Sequence, residues 1–324
     1  MQVLILLTLI FPLLSAPMAR TVVSRVEPRR ATWLLAAAAL LLAGTSCGAL
    51  GLLVLAQLVR VPTLARLGHL SLSAISTGEF PSPWTAAPAG VLLGAALLAA
   101  GTFTVRRARA LADASRHARD LPGRDELVVT GDSAADAYTV PGRPGRIVVS
   151  AGMLDVLDER GRTALLAHER AHLTARHHWF TTAARLAAAA NPLVRPLATA
   201  VEYVVERWAD EAAAAAVGDR RLVAQAIARA AVAAKATRPR RSVAATLGAV
   251  LPAARRGRAR RGADPLAGAG PVPRRVAALL APAPRTGLPA IAACLLVLAV
   301  AAVCALQAAD HLQDVLKFAH VGLR

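Results

Sequence analysis

Four of the eight histidines in this 324-residue chain fall between residues 168 and 178, inside the stretch LLAHERAHLTARHHW that runs from Leu165 to Trp179. His168 and His172 are four apart, so on a helix both imidazoles leave one face a turn apart, the spacing at which two nitrogens can bind one tetrahedral zinc. Glu169 follows the first histidine directly. A carboxylate at that position sits at the edge of the same face and can take a proton from water at the metal without itself ligating it. The pattern is H-E-x-x-H, and the chemistry it offers is metal-assisted hydrolysis.

A catalytic zinc takes three protein ligands and keeps a fourth position for water. Downstream, YVVERWADEAAAAAVGD repeats the four-residue spacing with Glu206 and Asp210. Glu206 is the expected third ligand, and Asp210 the expected acceptor for the N–H of a ligating histidine, fixing its tautomer. Glu202 shares the stripe as the weaker rival ligand, while Glu211 lies about a hundred degrees away.

The run DAYTVPGRPGRIVVSAGMLDVLDERGRTALLAHERAHLTARHHW, followed by VVERWADEAAA, resembles the M56 family of membrane zinc peptidases, relatives of membrane antibiotic sensors. The resemblance covers about residues 125–235 at motif level. It implies that His168, His172 and Glu206 hold one zinc ion per chain and that Glu169 is the general base. His177 stands where that family carries a trailing histidine or aspartate. The H-E-x-x-H and E-x-x-x-D spacing also resembles M48 membrane peptidases, which perform protein quality control, and this is the alternative enzyme reading. A non-enzymatic signalling or scaffold protein is the third, and Glu169 argues against it because a purely structural site has no need of that carboxylate. No residue type identifies the oxyanion-stabilising group; His177, His178 and Tyr203 are candidates for substrate or oxyanion contacts.

Such a site must be carried by elements the rest of the sequence can build. Hydrophobic residues make up 56% of the chain and aromatic residues only 3%, a composition that points to a membrane protein. Cys47, Cys294 and Cys304 all lie in apolar runs, which excludes both a disulfide framework and a thiolate zinc site. Four stretches are long and apolar enough to span: 2–18, 32–59, 84–105 and 286–308. The first lacks the positive leader of a secretion signal and is read as a retained helix. Arginines cluster in 20–30, 106–124 and 238–285, whereas 60–83 and 309–324 are poor in them, so the catalytic region is expected in the cytoplasm of a bacterial cell. The apolar run 179–201 contains Arg185, Arg195, Asn191 and two prolines. Were it to cross once, His172 and Glu206 would lie about 30 Å apart, so a turn at Asn191-Pro192 is expected instead.

The expected fold class is therefore a mainly α membrane protein: four transmembrane helices and a cytoplasmic α+β metallopeptidase domain of the zincin (HExxH) type. Its parts are three spans over 1–105, the peptidase domain over 106–237, a basic Pro/Gly-rich linker over 238–285, the fourth span over 286–308 and a short external tail over 309–324. Within the domain, ELVVT and RIVVS read as two short strands, with Asp158 capping the active-site helix, Gly218 ending the second and Asp219 capping a third. The tail is too short for a penicillin-binding domain, so β-lactam sensing of that kind is not expected. The linker is expected to meet anionic lipid rather than nucleic acid, because it carries no aromatic residues for base stacking. Expected partners are lipid and a cytoplasmic protein substrate, a repressor as in the resembling sensors or the chain itself.

Overall fold

The computed structural model describes residues 2–61, 83–122, 125–142, 145–237, 270–283 and 286–321. In chain order the first elements are α1 (Gln2–Ile10), a 3-10 turn (Phe11–Leu14), α2 (Ser15–Arg25), α3 (Pro28–Leu58) and α4 (Pro83–Asp120). Three strands follow, β1 (Leu127–Thr130), β2 (Ala137–Val140) and β3 (Arg146–Ser150), then α5 (Ala151–Val156), α6 (Glu159–Thr174) and α7 (His177–Ala190). A 3-10 turn (Pro192–Val194) leads into α8 (Arg195–Val217), α9 (Arg220–Thr237), α10 (Pro271–Leu280) and α11 (Leu288–Val321). The chain divides into two compact units.

The first unit comprises Met1–Val105, Thr181–Glu202 and Arg285–Arg324. It holds helices long and apolar enough to cross a membrane at Gln2–Arg25, Pro28–Leu58 and Leu288–Asp314, and a fourth, Trp84–Asp120, begins in it. The expected spans coincide with these, but the helices run further: α4 continues unbroken through the arginine-rich 106–120, where no proline interrupts it. Pro12, which has no N–H to donate, marks the 3-10 step between α1 and α2. The run 179–201 folds back on itself as expected. Asn191 Oδ1 accepts the N–H of Leu193 at 3.0 Å, and across the turn Arg185 Nε donates to Glu202 Oε1 at 2.6 Å.

The second unit comprises Arg106–Phe180 and Tyr203–Pro284. Its sheet has three strands in the order β1-β3-β2, with β1 parallel and β2 antiparallel to β3. β1 and β3 are the strands expected from ELVVT and RIVVS, and β2 is a third, formed by AYTV just ahead of Pro141 and Gly142. Every residue of β3 is buried, which explains why RIVVS does not alternate. One face of β3 presents Ile147 and Val149 to a core with Met153, Leu157, Ala164 and Val223; Val148 on the other face packs with Ala114 and Ala118 of α4.

Caps set where the helices begin. Asp158 Oδ1 accepts the N–H of Gly161 at 2.8 Å at the start of α6, and that bond holds its carboxyl below the usual range. Asp219 Oδ1 accepts the N–H of Leu222 at 3.0 Å at the start of α9, and Gly218, at φ 75°, lies between α8 and α9 in the left-handed conformation glycine tolerates. The expected linker 238–285 contains an element of its own: Pro271–Leu280 is helical. Its last carbonyls, which a helix leaves unpaired, accept from Arg220, to Leu279 O at 2.9 Å and Ala278 O at 3.0 Å. Residues 238–269, where lipid contact is expected, lie outside the described residues.

Candidate active site

Both histidines and Glu169 come from α6, and Glu206 and Asp210 from α8, one helical turn apart. The ligand atoms of His168, His172 and Glu206 all lie within 4.8 Å of one another. His168 Nε2 is 3.1 Å from His172 Nε2 and 3.8 Å from Glu206 Oε2, and His172 Nε2 is 3.5 Å from Glu206 Oε1. Donors at tetrahedral angles around zinc, with bonds of about 2.0–2.1 Å, stand roughly 3.3 Å apart. The two nitrogens stand close to that separation and each has an oxygen of Glu206 within 3.8 Å, so the donor set fits zinc in chemistry and is compact enough to close on one ion. Glu202, the rival ligand, is instead turned to Arg185 in the first unit.

Behind the donors stand two supports. His168 Nδ1 is 3.1 Å from Asp210 Oδ1, the neighbour expected to fix its tautomer. Asp210 is fully buried and takes a two-pronged contact from Arg275 on α10: Nε to Oδ2 at 2.8 Å and Nη2 to Oδ1 at 2.6 Å. The third guanidinium nitrogen, Nη1, is 2.7 Å from Glu206 Oε2. Burial would raise the Asp210 carboxyl, but Arg275 and His168 reverse this and bring it down to about 2. Glu206 is likewise lowered: desolvation works against its charge, and His172, Arg275 and His168 outweigh it. Burial alone would lower His168, and Asp210, Glu206 and Glu169 turn the shift upward; His172 is lowered, chiefly by burial.

His177 is buried against His172. The chain reverses at Arg176, whose φ is 51°, and returns His177 beneath His172, with the two Nδ1 atoms 3.0 Å apart and His177 only 2% exposed. Its ring packs 4.6 Å from that of Trp208, and burial beside His172 pushes its pKa down to about 3. The tight turn buries the ring and sets it against His172, where it can brace that imidazole. Tyr203 is placed differently from Glu169. Its ring lies under Arg274, 4.6 Å from the guanidinium carbon, and is absent from the walls of the cavity at the site. His178 sits beside Trp179, with its pKa lowered to about 4, mainly by burial.

Glu169 is 8% exposed and lines that cavity with His168 and Glu206. Thr139 Oγ1 on β2 donates to Glu169 Oε2 at 2.8 Å, so a strand holds the carboxylate in place. Sequence reasoning missed both Thr139 and Arg275. A hydroxyl in an unrecognised strand carries no motif, and Arg275 is one basic residue in a chain with 38.

The model of peptidase family M48 matches residues 104–283, more than half of the chain and every residue of the site just described. The match is to the family held as the alternative enzyme reading, rather than to M56. Neither a curated protein nor a solved structure matches the chain. The zinc-compatible donor set lies inside that matched region, and the match over more than half of the chain leads to one conclusion: the chain belongs to peptidase family M48, whose members are zinc metallopeptidases.

Proposed function

We propose that this chain is an integral-membrane zinc metalloendopeptidase that cuts protein substrates at the cytoplasmic face of a bacterial membrane, in the manner of quality control. The observation that carries the reading is a three-donor set, its atoms within 4.8 Å of one another, beside a carboxylate that a strand holds in the wall of the same cavity. His168, His172 and Glu206 would hold the zinc ion, which when bound would acidify a water and polarise the peptide carbonyl. Glu169 takes one proton of the attacking water as the C–O bond forms at the expense of the carbonyl π bond, then returns it to the amide nitrogen as the C–N bond breaks, so the products are a carboxylic acid and an amine and the proton count balances. Thr139 occupies one oxygen of Glu169 and so orients the other. β2 lies at the edge of the sheet, where an extended substrate can add as a further strand.

The test compares N-terminal peptides from cells carrying wild type or Glu169→Gln. New termini spread over many membrane proteins, present only with wild type, are the expected result. New termini confined to one DNA-binding protein, or to the chain itself, overturn quality control in favour of signalling, and none at all leaves the scaffold reading.

Orientation rests on the arginine bias, which places Ala245 inside and Leu70 outside. With Cys47, Cys294 and Cys304 replaced, a single cysteine at Leu70 is expected to react with an impermeant thiol reagent in intact cells while one at Ala245 does not. The reverse labelling pattern would place the catalytic unit outside.

A further inference from the structure

Helices α3 and α11 of the first unit are both long and apolar enough to span a membrane, and their first turns meet in the walls of one cleft. The approach is close. Gly287, one residue before α11, has φ 63°, and any side chain there would collide with the carbonyl of Arg25 at the end of α2. The cleft has a volume of about 630 Å³ and is lined by Glu27, Arg29, Arg30, Trp33 and Leu34, with Ile291 from α11. Arg29 and Arg30 stand four and three residues ahead of Trp33, so the three side chains share one side of α3. Along the span the cleft is therefore graded, with charged groups at the mouth and an indole and aliphatic side chains a turn further in.

Each tier suits a lipid. Trp33 is 61% exposed in the second turn of an apolar helix, and an indole so placed belongs at the headgroup boundary. The guanidinium groups are planar forks that match the paired oxygens of a phosphate. Glu27 Oε2 lies 3.4 Å from Arg30 Nε, so the carboxylate offsets one positive charge at the mouth and one is left over. A phosphodiester carries the one negative charge that balances it. Basic clefts between membrane helices on the cytoplasmic side bind headgroups of that kind, and the arginine bias puts this mouth on that side.

We propose that this cleft binds one anionic phospholipid, with its phosphate on Arg29 and Arg30 and the start of an acyl chain over Trp33, Leu34 and Ile291. A zwitterionic lipid fits less well, because its cation meets two arginines and a carboxylate already paired with one of them. A free phosphate ion would leave the apolar inner tier unused.

The experiment takes the full-length protein, delipidated in detergent, and counts bound lipid by native mass spectrometry. Phosphatidylglycerol is expected to bind at one per chain and about fivefold or more tighter than phosphatidylcholine, the discrimination that one basic residue near a membrane surface gives. Inorganic phosphate is expected not to displace it. Arg29→Gln with Arg30→Gln is expected to weaken binding about tenfold or more, since two such residues are removed. Arg29→Lys with Arg30→Lys keeps the charge that sets membrane orientation but loses the fork; it is expected to weaken binding about threefold and serves where the glutamine pair fails to insert. Arg106→Gln with Arg109→Gln on α4 removes as much charge elsewhere and is expected to change nothing. Equal binding of the two lipids, displacement by inorganic phosphate, affinity that neither substituted pair moves, or an equal loss in the α4 variant overturns the site. None of these readouts depends on zinc or on peptidase activity.

Discussion

Glu169→Gln protein is expected to keep a full complement of zinc and to lose about 10²- to 10⁴-fold in kcat, the range a positioned general base supplies. The change is isosteric, and a glutamine carbonyl still accepts the Thr139 hydroxyl that now bonds Oε2 at 2.8 Å. What disappears is the ability to accept a proton. His168→Ala should behave in the opposite order, losing metal first and activity in consequence, because it removes a nitrogen 3.1 Å from its partner donor on His172. Metal analysis of the two purified variants beside wild type, with turnover of a quenched peptide, separates the roles. Zinc loss in Glu169→Gln would make Glu169 a ligand or a structural group, and more than a tenth of wild-type turnover would remove it from the chemistry.

Arg275→Met is expected to cost about 3–5 kcal/mol of stability in the second unit, the range for removing one partner of a buried pair. It is also expected to weaken zinc binding by about 10- to 100-fold, as loss of a partner behind a metal ligand does. Asp210 is fully buried, and the guanidinium side chain is only 11% exposed, so solvent replaces little of what is lost. Two effects compete at the metal. The positive charge of Arg275 repels a cation nearby, but it also keeps Asp210 and Glu206 ionised and fixes both geometrically. Positioning should win, since Arg275 holds Oε2 of Glu206 and Oε1 is the oxygen nearer His172. Arg275→Lys should recover little, because an ammonium cannot span Asp210 with a planar fork and reach Glu206 as well. Thermal melts and chelator competition for zinc measure both quantities. Tighter zinc binding in Arg275→Met would show the guanidinium to be a competitor for Glu206 rather than its support.

Reading the site from sequence worked where the chemistry depends on local spacing. On a helix, residues four apart share a face whatever the helix packs against, so the pairing of His168 with His172, and of Glu206 with Asp210, was legible before any fold was known. The same holds for the caps at Asp158 and Asp219 and for the existence of the four apolar helices, though not for where those helices end. The choice between two families with the same spacing was not legible in the motif, since both use it.

What only the tertiary structure decided are the partners drawn from distant segments. Arg275 reaches Asp210 from 65 residues away, and Thr139 reaches Glu169 from 30. Neither has a periodicity or neighbouring residue to mark it, because such contacts are set by how α10 and β2 pack, not by position along the chain. His177 shows the same limit at short range. Five residues from His172 it reads as a candidate substrate or oxyanion contact, and a single positive φ at Arg176 turns it beneath its neighbour. Spacing fixes which side chains share a face; packing fixes what that face meets.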